Sequence, residues 1–387
     1  MRSHFHCPPL APAASACRRH APSVALPAPH PWRLPLLGLA AAIPLLLGAV
    51  LAQAQVLYTA DEHGNSISAI ELASGRVTTL PVKISPHNVQ ITPDGTRLLA
   101  VGEPVAEDHG HGHDSAAPAT TEAAGLLLVF DAAALDAGPV AEIPVGAHPA
   151  HVVADPRGER AFVTNAGDNS VSVVDLASNT VIATIGTGRY PHGLRPSPDG
   201  RQLFVANVQD GSLSVIDTEA LVELTRIPVG RAPVQVGFTP DGALVYASLR
   251  DENRVAVVDT ASRRIVATIA VGRNPIQVHA TPDGRFVYVA NQGSESEPAD
   301  TVSVIDVASG RVIDTIRTGA GAHGVAVSND GDFAFVTNIV AATVSVIDTA
   351  THRVVASFPV GRGPNGITYR PAADETGGQL KRKGEGS

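Results

Sequence analysis

Ala161-Phe-Val-Thr-Asn165, Val171-Ser-Val-Val-Asp175, Val181-Ile-Ala-Thr-Ile185, Pro191-His192-Gly193 and Ser197-Pro-Asp-Gly200 follow one another in order, and each phrase returns downstream. The Asn-ending phrase recurs as Phe204-Val-Ala-Asn207, Val287-Tyr-Val-Ala-Asn291 and Phe335-Val-Thr-Asn338. The Asp-ending phrase closes at Asp175, Asp217, Asp259, Asp306 and Asp348, with spacings of 42, 42, 47 and 42 residues. Two looser copies precede them, Ile67-Ser-Ala-Ile-Glu71 and Leu127-Leu-Val-Phe-Asp131, which makes seven units. Each unit holds four short β-rich runs, alternating with period 2 and separated by Pro-Asp-Gly or Asn-Asp-Gly turns. Four strands at this period make one propeller blade. The expectation is an all-β, seven-bladed β-propeller of four-stranded antiparallel blades. A parallel β-helix, the structural competitor, has shorter coils and lacks such regular hairpin turns.

These phrases resemble the repeat of the YVTN or YncE-like propellers, which reads approximately Tyr-Val-Thr-Asn, then Val-Ser-Val-Ile-Asp, then Pro-X-Gly. The resemblance runs from about Val56 to Pro371. It implies the fold and leaves the activity open, because such propellers include both binding proteins and enzymes.

Phase along the repeat predicts how the ring closes. The propeller begins on the second strand of a blade, Val56-Leu-Tyr-Thr-Ala60, and ends on an innermost strand, Asn365-Gly-Ile-Thr-Tyr-Arg370. The last strand should complete the first blade and leave no open sheet edge between the termini. Residues 372–387 are Gly-rich and charged without an apolar pattern, and are expected to form a disordered tail.

The N-terminal 54 residues read as an export signal. Arg18, Arg19 and Arg33 precede the uncharged run Leu34 to Ala52, which leads into Ala52-Gln53-Ala54, a small-residue cleavage motif. The stretch ahead of Arg33 is long for a signal, which points to a start codon downstream of Met1. The alternative is an uncleaved membrane anchor, against which Pro35, Pro44 and the cleavage motif argue. Residues 55–371 are then a single propeller domain in a periplasmic or secreted protein, expected to be monomeric.

Composition narrows the chemistry. The four arginines Arg2, Arg18, Arg19 and Arg33 are the only charged residues in the first 54, so cleavage moves the net charge from −9 to −13. Such a surface repels phosphate backbones and anionic lipid, which excludes nucleic acid and membrane partners for the cleaved chain. Cys7, Cys17, Met1 and Trp32 all fall in the removed segment. Residues 55–387 therefore cannot form a disulfide, a haem c attachment, a cysteine nucleophile or a thiolate copper site. No Gly-X-Ser-X-Gly elbow and no nucleotide-binding phosphate loop occurs.

Histidine is the positive signal. The residue after each loop proline, or its equivalent, reads His87, Ala150, His192, Val234, Ile276, His323 and Asn365 around the ring. These positions should face the channel mouth on the side where propellers bind ligands. His148 and His151 flank the matching position in a further blade. Neutral imidazoles at one rim suit zinc or copper; the competing reading is that they only hydrogen-bond neighbouring loop carbonyls. In architecture this region also resembles the propeller domain of nitrous oxide reductases, in which the same rim position supplies histidine ligands. Their seven-histidine ligation is not met, and their cysteine-bearing copper domain has no counterpart in this sequence, so that activity is not carried over.

The second blade carries an insertion, residues 104–125, containing Glu107-Asp-His-Gly-His-Gly-His-Asp114. His109, His111 and His113 fall on one side of an extended chain, and Glu107, Asp108 and Asp114 attract cations. The competing reading is a solvated insertion that binds metal only adventitiously. A His-X-His-X-His loop on a propeller resembles exported metallochaperones that deliver zinc to the binding protein of an importer. His63, in the top loop of the first blade, is a further candidate. His279 and His352 read as structural or exposed. The functional expectation is handling of a divalent transition metal, with a periplasmic metal-binding or transport protein as partner. Two alternatives stay open: a lactonase-like hydrolytic enzyme and a protein-interaction scaffold.

Overall fold

A computed structural model describes residues 54–105 and 124–372. These residues form seven four-stranded antiparallel sheets arranged as blades. In the third blade the strands run outward from the channel as Pro149–Ala154, Arg160–Asn165, Ser170–Asp175 and Thr180–Gly186. The ring closes as phase predicted. The C-terminal strand Pro364–Arg370 pairs with Val56–Asp61, with Tyr58 opposite Thr368, and becomes the innermost strand of the first blade. Among the described residues no helix is long and apolar enough to cross a membrane.

Burial explains the residue types. Second and third strands lie between neighbouring blades and are covered on both faces, so Ala161-Phe-Val-Thr-Asn165 and Val171-Ser-Val-Val are buried throughout. Fourth strands lie on the outer rim and are largely exposed, alternating with partly buried positions in Val222–Pro228 and exposed over five successive residues in Arg264–Ala270. Between the fourth and fifth blades the core is built from Phe204, Val215, Val236, Ala247 and Val258. Each of these valines and the phenylalanine contributes roughly 1.5–3 kcal/mol on burial, and the alanine less.

Three repeated polar devices hold the blades. Asp175 Oδ1 accepts from the Ala177 and Ser178 amides at 3.2 and 2.7 Å, which shapes the outer hairpin. At the Pro-Asp-Gly turn, Thr239 Oγ1 donates to Asp241 Oδ1 at 2.6 Å, while Gly242 takes φ +72°, a conformation that favours glycine. The repeated asparagine is a buried clamp. Asn165 Nδ2 donates to Ser170 and Ser172 at 3.0 and 2.9 Å, and its Oδ1 accepts from the Gly146 amide of the preceding blade at 3.1 Å. In the first blade Asp61 takes this place and accepts from Thr59, Ser66 and Ser68.

Candidate metal centre

Every innermost strand contains one residue more than its partner. Pro191 lies opposite Asn207 and Leu194 opposite Val205, so three steps on one strand face two on the other. The same shift occurs in the other six blades. Such a bulge kinks the strand and re-aims side chains. Let position 1 be the loop proline or its equivalent. Positions 2 and 3, which simple alternation would send to opposite faces, here reach the channel together. Position 3 is Asn88, His151, Gly193, Gln235, Gln277, Gly324 and Gly366. Side-chain carbonyls there accept from position-4 amides: Asn88 Oδ1 from Val152 at 3.3 Å, Gln277 Oε1 from Val325 at 3.2 Å and Gln235 Oε1 from Val236 at 2.9 Å.

The bulge brings His87 and His192, at position 2, together with His151, at position 3. One ring nitrogen from each lies within 4.8 Å of the others. The ring centroids are 5.1 Å apart for His87 and His192, 4.8 Å for His151 and His192, and 5.8 Å for His87 and His151. A cavity of 190 Å³ is lined by His87 and His192, though not by His151, together with Glu62, Ser85, Glu103 and Tyr190. Larger clefts of 540 and 610 Å³ lie between peripheral loops, lined by Asp155, Arg157 and Arg201 and by Arg189, Asp210 and Arg231. The only group of three or more clustered ligand-type side chains among the described residues is the histidine trio.

The hydrogen-bond partners set the tautomers. His87 Nδ1 meets Glu62 Oε1 at 3.0 Å, and His192 Nδ1 meets the Val234 carbonyl at 3.2 Å. Carboxylate and carbonyl oxygens only accept, so each Nδ1 carries the proton and each Nε2 presents a lone pair. Those two Nε2 atoms face each other at 3.1 Å. Opposed lone pairs repel, and a proton or cation between them removes the repulsion. Burial first, and then the neighbouring His87 and His323, push His192 down to about 3, so near neutral pH His192 accepts, and what lies between the two rings is either an Nε2–H of His87 or a cation. A tetrahedral ion with bonds of about 2.0–2.1 Å sets its ligand nitrogens about 3.3 Å apart, close to the observed separation. His151 is 1% exposed; its Nδ1 faces the Gln235 Nε2 donor at 3.5 Å, and its Nε2 has no hydrogen-bond partner. Burial, followed by the fields of His192 and His87, keeps it neutral.

A carboxylate that the histidine pattern did not reveal completes the arrangement. Glu62 accepts from His87 and, at 2.6 Å, from Asn365 Nδ2. Burial would raise its pKa, but the charge and hydrogen bond of His87 and the Asn365 amide outweigh that and hold it at about 2. A carboxylate behind a ligating histidine fixes the ring and raises its basicity. Asn365 Oδ1 is a second buried acceptor without a partner. The signal for Glu62 was present in the loop Asp61-Glu-His-Gly-Asn65, where attention fell on the adjacent histidine instead.

The other candidates sit apart from the trio. His323 is buried, with Nδ1 3.2 Å from the Asn365 carbonyl, and its nitrogens lie outside the 4.8 Å set. Burial, then the charge of His87, pushes it down to about 4. His148 pairs with Glu103 at the outer lip of the cavity. His63 packs on Gly363. His352 stacks edge-on against Phe286 and pairs with Asp314 at 3.3 Å. His109, His111 and His113 lie outside the described residues. The strands flanking their insertion run to Pro104 and from Ala124, overlapping the ends of the expected 104–125 segment.

A family profile described as a YNCE-like beta-propeller matches residues 134–243 and 217–375. No curated protein matches this chain. Among solved structures, the chain is similar to Kuenenia stuttgartiensis hydrazine synthase, at 23% identity and TM-score 0.61, over 73% of this chain and 88% of that one. A functionally unknown Desulfotomaculum acetoxidans protein matches at 16% identity and TM-score 0.66, over 81% and 98% of the two chains. A candidate 6-phosphogluconolactonase from Bacteroides uniformis matches at 17% identity and TM-score 0.63, over 82% and 100%. At these identities the likeness is one of fold. The profile covers more than half of the residues, and the strands form the seven four-stranded blades of such a ring: the chain belongs to the YNCE-like β-propeller family.

Proposed function

We propose that this protein binds a divalent transition metal, zinc or copper, at the top mouth of its channel through His87, His151 and His192. The observation that carries the reading is the pair of facing Nε2 atoms 3.1 Å apart, each ring held by an acceptor at its Nδ1. Support comes from the unpartnered His151 Nε2 and from the carboxylate of Glu62, whose charge offsets part of an incoming ion's. The cavity beside His87 and His192 leaves space for water or an exchanging ligand as a fourth donor. By its sequence, the His109/His111/His113 tract, anchored on the strand ends Pro104 and Ala124, adds capture capacity on the same face. An open site suits reversible holding and transfer to a periplasmic metal-binding or transport protein, after export directed by the segment ending at Ala54.

Binding is favoured over catalysis because the carboxylates lining this cavity, Glu62 and Glu103, are each engaged with a histidine. Neither stands free as a general base for lactone hydrolysis. The test is titration of the purified protein with Zn(II) and Cu(II) against a competing chelator. One ion per chain is expected, with a loss of at least about 100-fold on His192→Ala and little change on His352→Ala. Weak binding indifferent to His87, His151 and His192 would leave these imidazoles as structural groups. N-terminal sequencing of the protein recovered from a cell fraction outside the cytoplasm tests cleavage after Ala54.

A further inference from the structure

Position 5 of the inner strands, two residues below the histidine trio, reads Gln90, Val153, Arg195, Gly237, His279, Ala326 and Thr368. These residues lie towards the opposite end of the channel, where Gln90, Arg195, His279 and Thr368 line a cavity of 250 Å³ with Val327 and Ile367 as apolar walls. Arg195 is anomalous there. A guanidinium carries five N–H donors. Among the described residues Arg195 forms no ion pair, and its one hydrogen bond runs from Nη1 to the Leu194 carbonyl at 3.3 Å. Arg195 is partly buried, and burial lowers it to about 10 with no acid beside it, while its unbonded N–H groups keep access to the cavity.

The surroundings extend the argument. His279 Nδ1 donates to the Ala280 carbonyl at 2.9 Å. Burial, and then the charge of Arg195, pushes His279 down to about 4. Gln90 Nε2 donates to the Ile91 carbonyl at 3.0 Å and reaches Thr368 Oγ1 at 3.4 Å, which holds polar groups at the cavity wall. A cation drawn part of the way out of water, with no acid paired to it, is stabilised by an anion that joins it.

We infer that the lower channel is a binding site for a small oxyanion, a carboxylate or phosphate group held by the Arg195 fork beside His279 and Gln90. The planar guanidinium matches two oxygens of either group in a bidentate contact. The cavity volume, roughly eight waters at about 30 Å³ each, admits a small dicarboxylate or a phosphate ester and excludes a polymer.

The test is calorimetry of the purified protein with sodium phosphate and, separately, sodium succinate, at constant chloride. Saturable binding of at least one anion is expected, weakened at least about tenfold by Arg195→Met and unaffected by His192→Ala. The tighter anion names the ligand group. The methionine variant should also melt no lower than wild type in anion-free buffer, because a partly buried charge without an ion-pair partner has been removed. Arg195→Lys keeps the charge without the fork and serves where the methionine variant does not fold; a tenfold loss in it supports the site and wild-type affinity overturns it. The inference also fails if neither anion saturates by about 20 mM, or if Arg195→Met binds as wild type does.

Discussion

Glu62→Gln is the perturbation that most directly probes how the metal centre is set. The carboxylate accepts from His87 Nδ1 at 3.0 Å on one oxygen and from Asn365 Nδ2 at 2.6 Å on the other. A glutamine of the same shape has one accepting oxygen, so one of these two donors must face an NH₂ group. If the donor that loses its partner is His87, the proton can move to Nε2 and occupy the lone pair that the ion requires. The displacement of Glu62 from 4.5 to about 2 corresponds to roughly 3 kcal/mol favouring the ionised form, at about 1.4 kcal/mol per unit, and this is the net that the contacts keep after burial has opposed them. Shared between His87 and Asn365, it puts about 1.4–2.7 kcal/mol on the histidine, or 10–100-fold in metal affinity. The assay is Zn(II) competition with a chelator of known affinity at pH 7.5, with the thermal midpoint of the metal-free variant as a folding control. Metal affinity within twofold of wild type, in a variant that folds normally, would refute the argument that Glu62 sets the tautomer of His87.

Three further outcomes follow from the same geometry. His151, His192, His279 and His323 all have folded-state pKa values below the ordinary 6.5, chiefly through burial, with His192 at about 3 and His279 and His323 at about 4. The unfolded chain takes up protons that the folded one refuses, so with EDTA present stability should hold above about pH 6.5 and fall towards pH 4. The slope is up to about 1.4 kcal/mol per pH unit per histidine, and a urea midpoint that does not move across this window counts against it. Asn338→Ala removes donors to Thr343 and Ser345 and the acceptor for the Gly319 amide, and should cost about 1–3 kcal/mol in urea unfolding. Gly193→Ala would set a Cβ 2.2 Å from Gln235 Oε1 and 2.5 Å from the Val234 carbonyl that orients His192. It should lower both stability and metal affinity, and an unchanged thermal midpoint would show that the contact between the fourth and fifth blades yields freely.

The repeat made the fold readable because one unit states its turn chemistry seven times. Asp175 and its equivalents, the Pro-Asp-Gly turns and the Asn165-type clamps each satisfy backbone groups within a few residues or across one blade boundary, so local spacing predicts them. Ring closure followed from phase alone. The site was only half legible. Position 2 was identifiable from the loop proline, which found His87, His192 and His323. The bulge was not, since it is a difference in length between paired strands and leaves no mark on one strand. His151 was named with His148 only as flanking that position, and without the bulge it falls on the wrong face, while His323 looks equivalent to His192, although only His192 belongs to the trio. Glu62 and Arg195 depend on contacts between blades far apart in sequence, which no spacing rule reports.

The same positions also bear on whether the fold itself requires these imidazoles. Ala150, Val234 and Ile276 occupy position 2 in three blades, buried to 4–5% exposure, and their strands keep the bulge and the pairing found in the histidine blades. An apolar side chain therefore suffices for packing at this depth and carries no polar atom to satisfy. Histidine in the second, fourth and seventh blades, with a further one at position 3 of the third, brings buried ring nitrogens that must find partners. Three find acceptors at Glu62, Val234 and Asn365, while His151 Nε2 finds none. If loop support were their whole role, the bonds from Nδ1 would suffice and the Nε2 atoms would have no reason to converge. Replacing His151 with leucine separates the two accounts. A structural role predicts equal or higher stability without metal, as an apolar group removes an unsatisfied atom, and no change in ion binding. The metal centre predicts the same or greater stability without metal, together with loss of the stabilisation that Zn(II) confers on wild type.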